Sequence, residues 1–240
     1  VDKSCREYVH VATDYIGKLR LPISPERLES YRPAAGTDLD TVVNYFWNLC
    51  LCEALYPSLN AAEISLRNSI HTALSSHYQN DYWFDDENVV ESRQYQQVLK
   101  ARETLRHREK EETAGRIVAE LTFGFWVGLL NRPYEAKIWA PNGYDLLRKV
   151  FPHAPRRARK LKFLRDRFYE INLLRNRVFH YEPVWNRPQL DQTHSQILEA
   201  IGWISPEKKA AIALFDRFPE VHWSGRAKVE AELKKYLGLP

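Results

Sequence analysis

"LNAAEISLRNSIHTA", Leu59 to Ala73, is the stretch that decides the fold class of this chain. Leu59, Ala62, Leu66, Ile70 and Ala73 recur at three- and four-residue spacing. That period lines one face of an α-helix and does not fit the two-residue alternation of a strand. Upstream, Asp38 to Tyr78 reads as one long helix or as two, with Pro57 as the break or as an N-terminal position, because an internal proline removes a hydrogen bond and crowds the preceding turn. Downstream, helical spacing persists. A charged helix is expected over 92–112 and a nearly all-apolar central helix over 115–130. A further helix carries Leu161, Leu164, Phe168, Ile171 and Leu174 in phase and is closed by Pro183. Strand-like alternation is scarce, so the chain reads as all-α.

The outer segments follow the same reading. A first helix is expected from about Asp2 to Leu19, ending before Pro22, with Ser24 as N-cap and Pro25 as first residue of the next. Residues 81–88, "DYWFDDEN", read as a polar, aromatic loop, and 142–151 as a short helix. Helices are also expected over 195–204, 206–215 and 226–237. No solenoid-length repeat and no Gly/Ser linker is visible, which suits one helical domain over 1–240, with a core at about 38–185 and a C-terminal helical extension at 189–240. Gly124 and Gly128 weaken the 115–130 helix intrinsically and favour close helix approach.

Composition excludes several function classes. Hydrophobic residues make up 44% and charged residues 28%, the balance of a globular protein rather than a disordered one. A net charge of +4 is too small to argue for nucleic-acid binding, which must then rest on local patches. Cys5, Cys50 and Cys52 have neither an even count nor CxxC spacing, against a disulfide framework or a zinc site. No HExxH, Walker or Gly-x-Ser-x-Gly pattern occurs, so no metal and no cofactor is expected. No apolar run reaches membrane-spanning length and the first residues do not resemble a signal peptide, so a cytoplasmic protein without a membrane partner is expected.

Arg175, Asn176 and His180 in "LLRNRVFHYEP" carry the sharpest chemical signal. Arg-x4-His alone occurs four times, at Arg102/His107, Arg148/His153, Arg175/His180 and Arg217/His222. Only the third has Asn after Arg. Asn176 and His180 are four apart and share a helix face, with Arg175 one position round. Histidine can give or take a proton near neutral pH, arginine offers a planar fork to a phosphate, and asparagine can orient either. Those are the parts needed to cleave RNA by attack of its own 2′-hydroxyl. Equally, a histidine at a helix C-terminus serves as a favourable cap, with Arg175 paired to a neighbouring carboxylate.

A second polar set lies on the opening stretch. Glu63, Arg67 and His71 are spaced by four, with Asn68 beside Arg67. The set is either an intrahelical Glu63–Arg67 pair with incidental His71, or a stripe projecting toward Arg175 and His180. Glu120 is the one charge inside the apolar 117–130 run and calls for a partner, for which Arg67 or Arg175 would serve. From Arg148 to Arg167 there are nine Lys/Arg against Asp166 alone. Arg156, Arg157, Arg159, Lys160 and Lys162 form its densest part, either a solvated face or a track for an RNA backbone.

Taken together, "ISPERLESYRPAAG" (23–36), "AAEISLRNSIHTAL" (61–74), "GRIVAELTFGFWVGLL" (115–130) and "LRNRVFHYEPVW" (174–185) resemble the Abi-like (abortive infection) proteins of the HEPN superfamily, over about 21–203. The resemblance implies an HEPN-like helical bundle with added N- and C-terminal helices. It implies a metal-independent endoribonuclease with Arg175 and His180 as catalytic residues and Asn176 in support, acting in phage defence or as a toxin. The Glu63/Arg67/Asn68/His71 set, Glu120 and the basic run then belong to RNA binding or to support of the site. Since one motif is present per chain, the resemblance further implies a homodimer, with an antitoxin or a guide-like structured RNA as possible partners. A non-catalytic RNA-binding or protein-binding module is the alternative.

Overall fold

The computed structural model describes residues 14–141 and 143–239, and among these no strand occurs. The all-α expectation holds. Helices run over 14–23 (α1), Pro25–Glu29 (α2), Asp38–Tyr78 (α3), Ser92–His107 (α4), Ala114–Glu120 (α5), Phe123–Gly128 (α6), Arg132–Tyr134 (α7), Asp145–Val150 (α8), Leu161–Phe179 (α9), Leu190–Ile204 (α10), Pro206–Ala213 (α11) and Phe218–Leu237 (α12). The part of the first expected helix before residue 14 lies outside the described residues. Its described part continues past Leu19 and through Pro22 to residue 23. A proline there forgoes only one bond, to the carbonyl of Lys18, near an end where bonding is already incomplete.

The chain divides into two compact units, each discontinuous in sequence. The first takes residues up to Pro57, Asn176–His194 and Asp216 onward; the second takes Ser58–Arg175 and Ser195–Phe215. The residues expected as a C-terminal extension are thus shared between both units. The division falls inside three helices, α3, α9 and α10. In α3, Pro57 stays within a continuous 41-residue helix instead of breaking it.

In the first unit, Ile16, Leu28 and Val42 form a buried cluster with Tyr15, Leu19, Tyr45, Phe46 and Leu233 packed around it. Asn48 is 1% exposed and fully used. Its Oδ1 accepts from the amides of Val184 (2.7 Å) and Trp185 (3.1 Å), and its Nδ2 donates to the Tyr31 hydroxyl at 3.3 Å. It thereby satisfies the backbone of the segment after Pro183, which has no helix of its own to do so. Trp47 Nε1 donates to the Val221 carbonyl at 2.9 Å, and Gly225 permits that approach, since a Cβ there would sit 3.2 Å from the same nitrogen.

In the second unit the stripe on α3 faces inward as its period requires: Leu59, Ala62, Leu66 and Ile70 have no exposed surface and Ala73 is buried. Leu161, Leu164, Phe168, Ile171 and Leu174 on α9 are buried as well. The expected single helix over 115–130 is instead two, α5 and α6, with Leu121 and Thr122 extended between them. Splitting the run lets Ile117, Phe123, Phe125 and Trp126 all reach the core, which no single helix face could arrange. Of the two glycines, only Gly128 is closely approached: a Cβ there would meet Gln94 Nε2 at 2.6 Å, whereas Gly124 would make ordinary contacts.

Candidate functional site

Helix α9 ends at Phe179, and the residues after it form a tight left-handed stop. The His180 amide donates to the Asn176 carbonyl at 2.8 Å, Tyr181 N–H to Val178 at 3.3 Å and Glu182 N–H to Arg177 at 2.8 Å. Tyr181 stands at φ 60°, the position normally given to glycine in this Schellman arrangement. Arg27 donates to the Tyr181 carbonyl and lies 5.9 Å from its ring centroid, and Arg177 pairs with Glu182 at 3.1 Å. Pro183 follows and prevents any continuation. The result holds His180, an exposed side chain, one residue beyond the helix.

Phe179 and Tyr181, on either side of His180, both line a hollow of about 610 Å³ in the first unit. Its other walls include Leu49, Cys52 and Tyr56 of α3, with the Tyr56 and Phe179 rings stacked at 5.6 Å. Leu49, Tyr56 and Tyr181 are exposed. Burial pushes the Cys52 thiol up to about 11, so it is protonated at neutral pH and a poor nucleophile there. The aromatic hollow was not anticipated from the sequence, because Tyr56 and Phe179 are far apart in the chain and no local spacing links them.

Arg175 lies in the second unit. Its Nε donates to Glu63 Oε2 at 3.1 Å, the two side chains being 24% and 20% exposed. Glu63 thus reaches across to Arg175, and the expected pairing with Arg67 four residues on is not what it makes. Arg67 Nε donates instead to Asn68 Oδ1 at 3.2 Å. Asn68 is exposed and lines a hollow of about 520 Å³ with Lys149 and Lys208, where burial and the Arg67 charge hold Lys208 below its ordinary value.

His71 is half-buried and does structural work. Its Nδ1 accepts from Trp83 Nε1 at 3.1 Å, and its ring packs near Trp83 and Phe84. Indole is only a donor, so the imidazole proton sits on Nε2. Burial lowers its pKa, partly opposed by Asp81. Glu120 finds neither Arg67 nor Arg175. It ends α5 and pairs with Arg108 at 2.7 Å, its side chain a quarter exposed, so no buried charge had to be matched in the core.

The basic run is a turn rather than a helix face over residues 152–160. Arg159 closes it by donating to the carbonyls of Ala154 (2.6 Å) and Pro152 (3.3 Å). Arg156, Arg157, Lys160 and Lys162 are exposed, and among the described residues no carboxylate pairs with them. Arg165 pairs with Asp166 at 2.8 Å and Arg167 with Glu199 at 2.9 Å. Among the described residues no group of three or more His, Cys, Asp or Glu is placed to hold a metal ion, and no helix is long and apolar enough to cross a membrane. Comparisons of the chain with protein-family models, with curated proteins and with solved structures return no match.

Proposed function

We propose that this protein is an Abi-like endoribonuclease of the HEPN type, acting on RNA in phage defence or as a toxin. His180 is the general acid/base and Arg175 neutralises charge on the scissile phosphate. In the reaction the 2′-hydroxyl loses its proton to His180 and its oxygen bonds to the adjacent phosphorus. The bond from phosphorus to the 5′-oxygen breaks, and that oxygen takes up a proton. A 2′,3′-cyclic phosphate and a 5′-hydroxyl result, with no oxidant, reductant or cofactor consumed. Asn176 supports the imidazole or a phosphate oxygen, and a second copy of the chain supplies a second motif.

The observation that carries this reading is the setting of His180. It is exposed on a tight helix stop, between two aromatic residues that line one hollow. Aromatic rings beside a general base suit unstacked RNA bases, which stack on such faces regardless of sequence. The exposed cations at Arg156, Arg157, Lys160 and Lys162 suit a phosphate backbone.

One observation favours a second reading. Glu63 already engages Arg175, which suits a structural arginine in a module that binds RNA or a protein without cleaving. Incubating the purified chain with RNA in EDTA separates the two. Cleavage that spares DNA, survives EDTA and is lost by a factor of about 10² or more in His180→Ala and in Arg175→Ala supports the nuclease. Binding without cleavage, unchanged in His180→Ala, overturns it in favour of the second reading.

A further inference from the structure

The second unit holds a cleft that the proposed reaction does not use. It is lined by α4, the turn joining α6 to α7, and α9, and encloses about 690 Å³. A hollow of about 640 Å³ sharing Arg93, Gln94, Asn131 and Tyr169 continues it toward Asn172. Three arginines line it: Arg93, Arg132 and Arg165. Its two carboxylates are already engaged, Asp166 by Arg165 at 2.8 Å and Glu91 by Lys137 at 2.9 Å. None of the ion pairs among the described residues involves Arg93 or Arg132, both exposed, so the cleft carries two uncompensated guanidinium groups.

Gln94 makes the cleft more than a basic surface. It is 7% exposed, lines both hollows, and its side-chain amide makes no hydrogen bond to another described residue. The amide opens onto the cleft and is not sealed off from solvent, so a ligand that displaces solvent there must offer it a donor and an acceptor. Gly128 makes room for it, since any Cβ there would press on Gln94 Nε2. Tyr169, 52% exposed, stands on the wall supplied by α9.

We infer that this cleft binds a nucleotide, with Arg93 and Arg132 taking its phosphate, Gln94 its base edge and Tyr169 its base face. Guanidinium forks match phosphate oxygens bidentately. A primary amide offers a donor and an acceptor together, as a base edge requires, and a phenol ring stacks on any base. The nucleotide is either free or one unit of an RNA strand. Neither source requires the chain to cleave, so the inference stands apart from the nuclease reading.

Calorimetric titration of the full chain with AMP, with a short single-stranded RNA and with a glutamate-rich peptide tests it. Saturable binding of AMP or of RNA, weakened about tenfold or more in Arg93→Ala/Arg132→Ala and also weakened in Gln94→Leu, supports the inference. Saturation by AMP marks a free nucleotide as ligand; binding of RNA alone marks a strand. Three results overturn the inference: no binding of AMP or RNA, binding of the peptide alone, or nucleotide binding that survives both cleft variants and disappears in Arg156→Ala/Arg157→Ala.

Discussion

Arg175 donates from Nε to Oε2 of Glu63 at 3.1 Å, joining the arginine of the Arg-Asn-x3-His motif to the first member of the polar stripe on α3. Both side chains are largely but not fully buried, so the pair lies between the surface and interior regimes. Arg175→Ala and Glu63→Ala should each cost about 1–2 kcal/mol, because each leaves a partly desolvated charge behind. The double variant should cost less than the sum by about 1 kcal/mol in urea unfolding. Additive losses would mean that the pair contributes no coupling. In cleavage assays Glu63→Gln, which keeps an acceptor for Nε, should retain more activity than Glu63→Ala.

Tyr181 pays for its place at φ 60° with backbone strain that glycine would not have. Tyr181→Gly should therefore raise stability by up to about 1 kcal/mol, the ring being 70% exposed and losing little contact. Tyr181→Ala keeps the strain and should not stabilise. If the ring stacks RNA, both variants should weaken RNA binding by a similar factor. Unaltered binding in both would assign Tyr181 to the helix stop alone.

His194 should make stability fall in mild acid. It is 4% exposed, stacked on Phe218 at 4.3 Å, with Nε2 lying 3.2 Å from Asp216 Oδ1 but poorly aligned for a hydrogen bond. Burial lowers its pKa from 6.5; Asp216 pulls the other way and His222 adds to the lowering. His71 is lowered too, mainly by burial. A depressed histidine binds fewer protons folded than unfolded, so stability is complete above about 6.5 and declines as pH falls below it. Urea midpoints should drop between pH 7 and 5.5, and less so in His71→Gln. A flat profile would contradict both assignments.

The turn at 152–160 separates two kinds of arginine. Arg156→Ala/Arg157→Ala/Lys160→Ala should leave stability within about 0.5 kcal/mol, these side chains being exposed. If the turn tracks RNA, the same variant should flatten the log–log salt dependence of binding by up to about 2. Arg159→Ala should behave oppositely. It removes donors to two backbone carbonyls and should cost about 1–2 kcal/mol with little change in salt slope.

The Leu59–Ala73 stripe and the phase from Leu161 to Leu174 were legible because a helix period and its buried face are local properties. Helix ends were less so. This chain has only nine glycines, and it closes helices with Gln79, Glu109 and Tyr181 at positive φ, where a reader of sequence looks for glycine. For that reason α4 stops at His107, short of the expected Glu112. The split of 115–130 was hidden for a different reason: a run apolar on all sides has no preferred face, and only the surrounding core determines where it bends.

By itself, the sequence determined the helical class, most of the core, and the presence of Arg175, Asn176 and His180 at the end of one helix. Those depend on period, composition and Pro183, all readable within a few residues. Tertiary structure decided the partners. It gave Glu63 to Arg175 rather than Arg67, Glu120 to Arg108, His71 to Trp83, and an unpartnered Gln94 to a cleft between arginines. A charge takes the nearest opposite charge that folding brings to it, and at separations of 112 residues no spacing rule announces which that is.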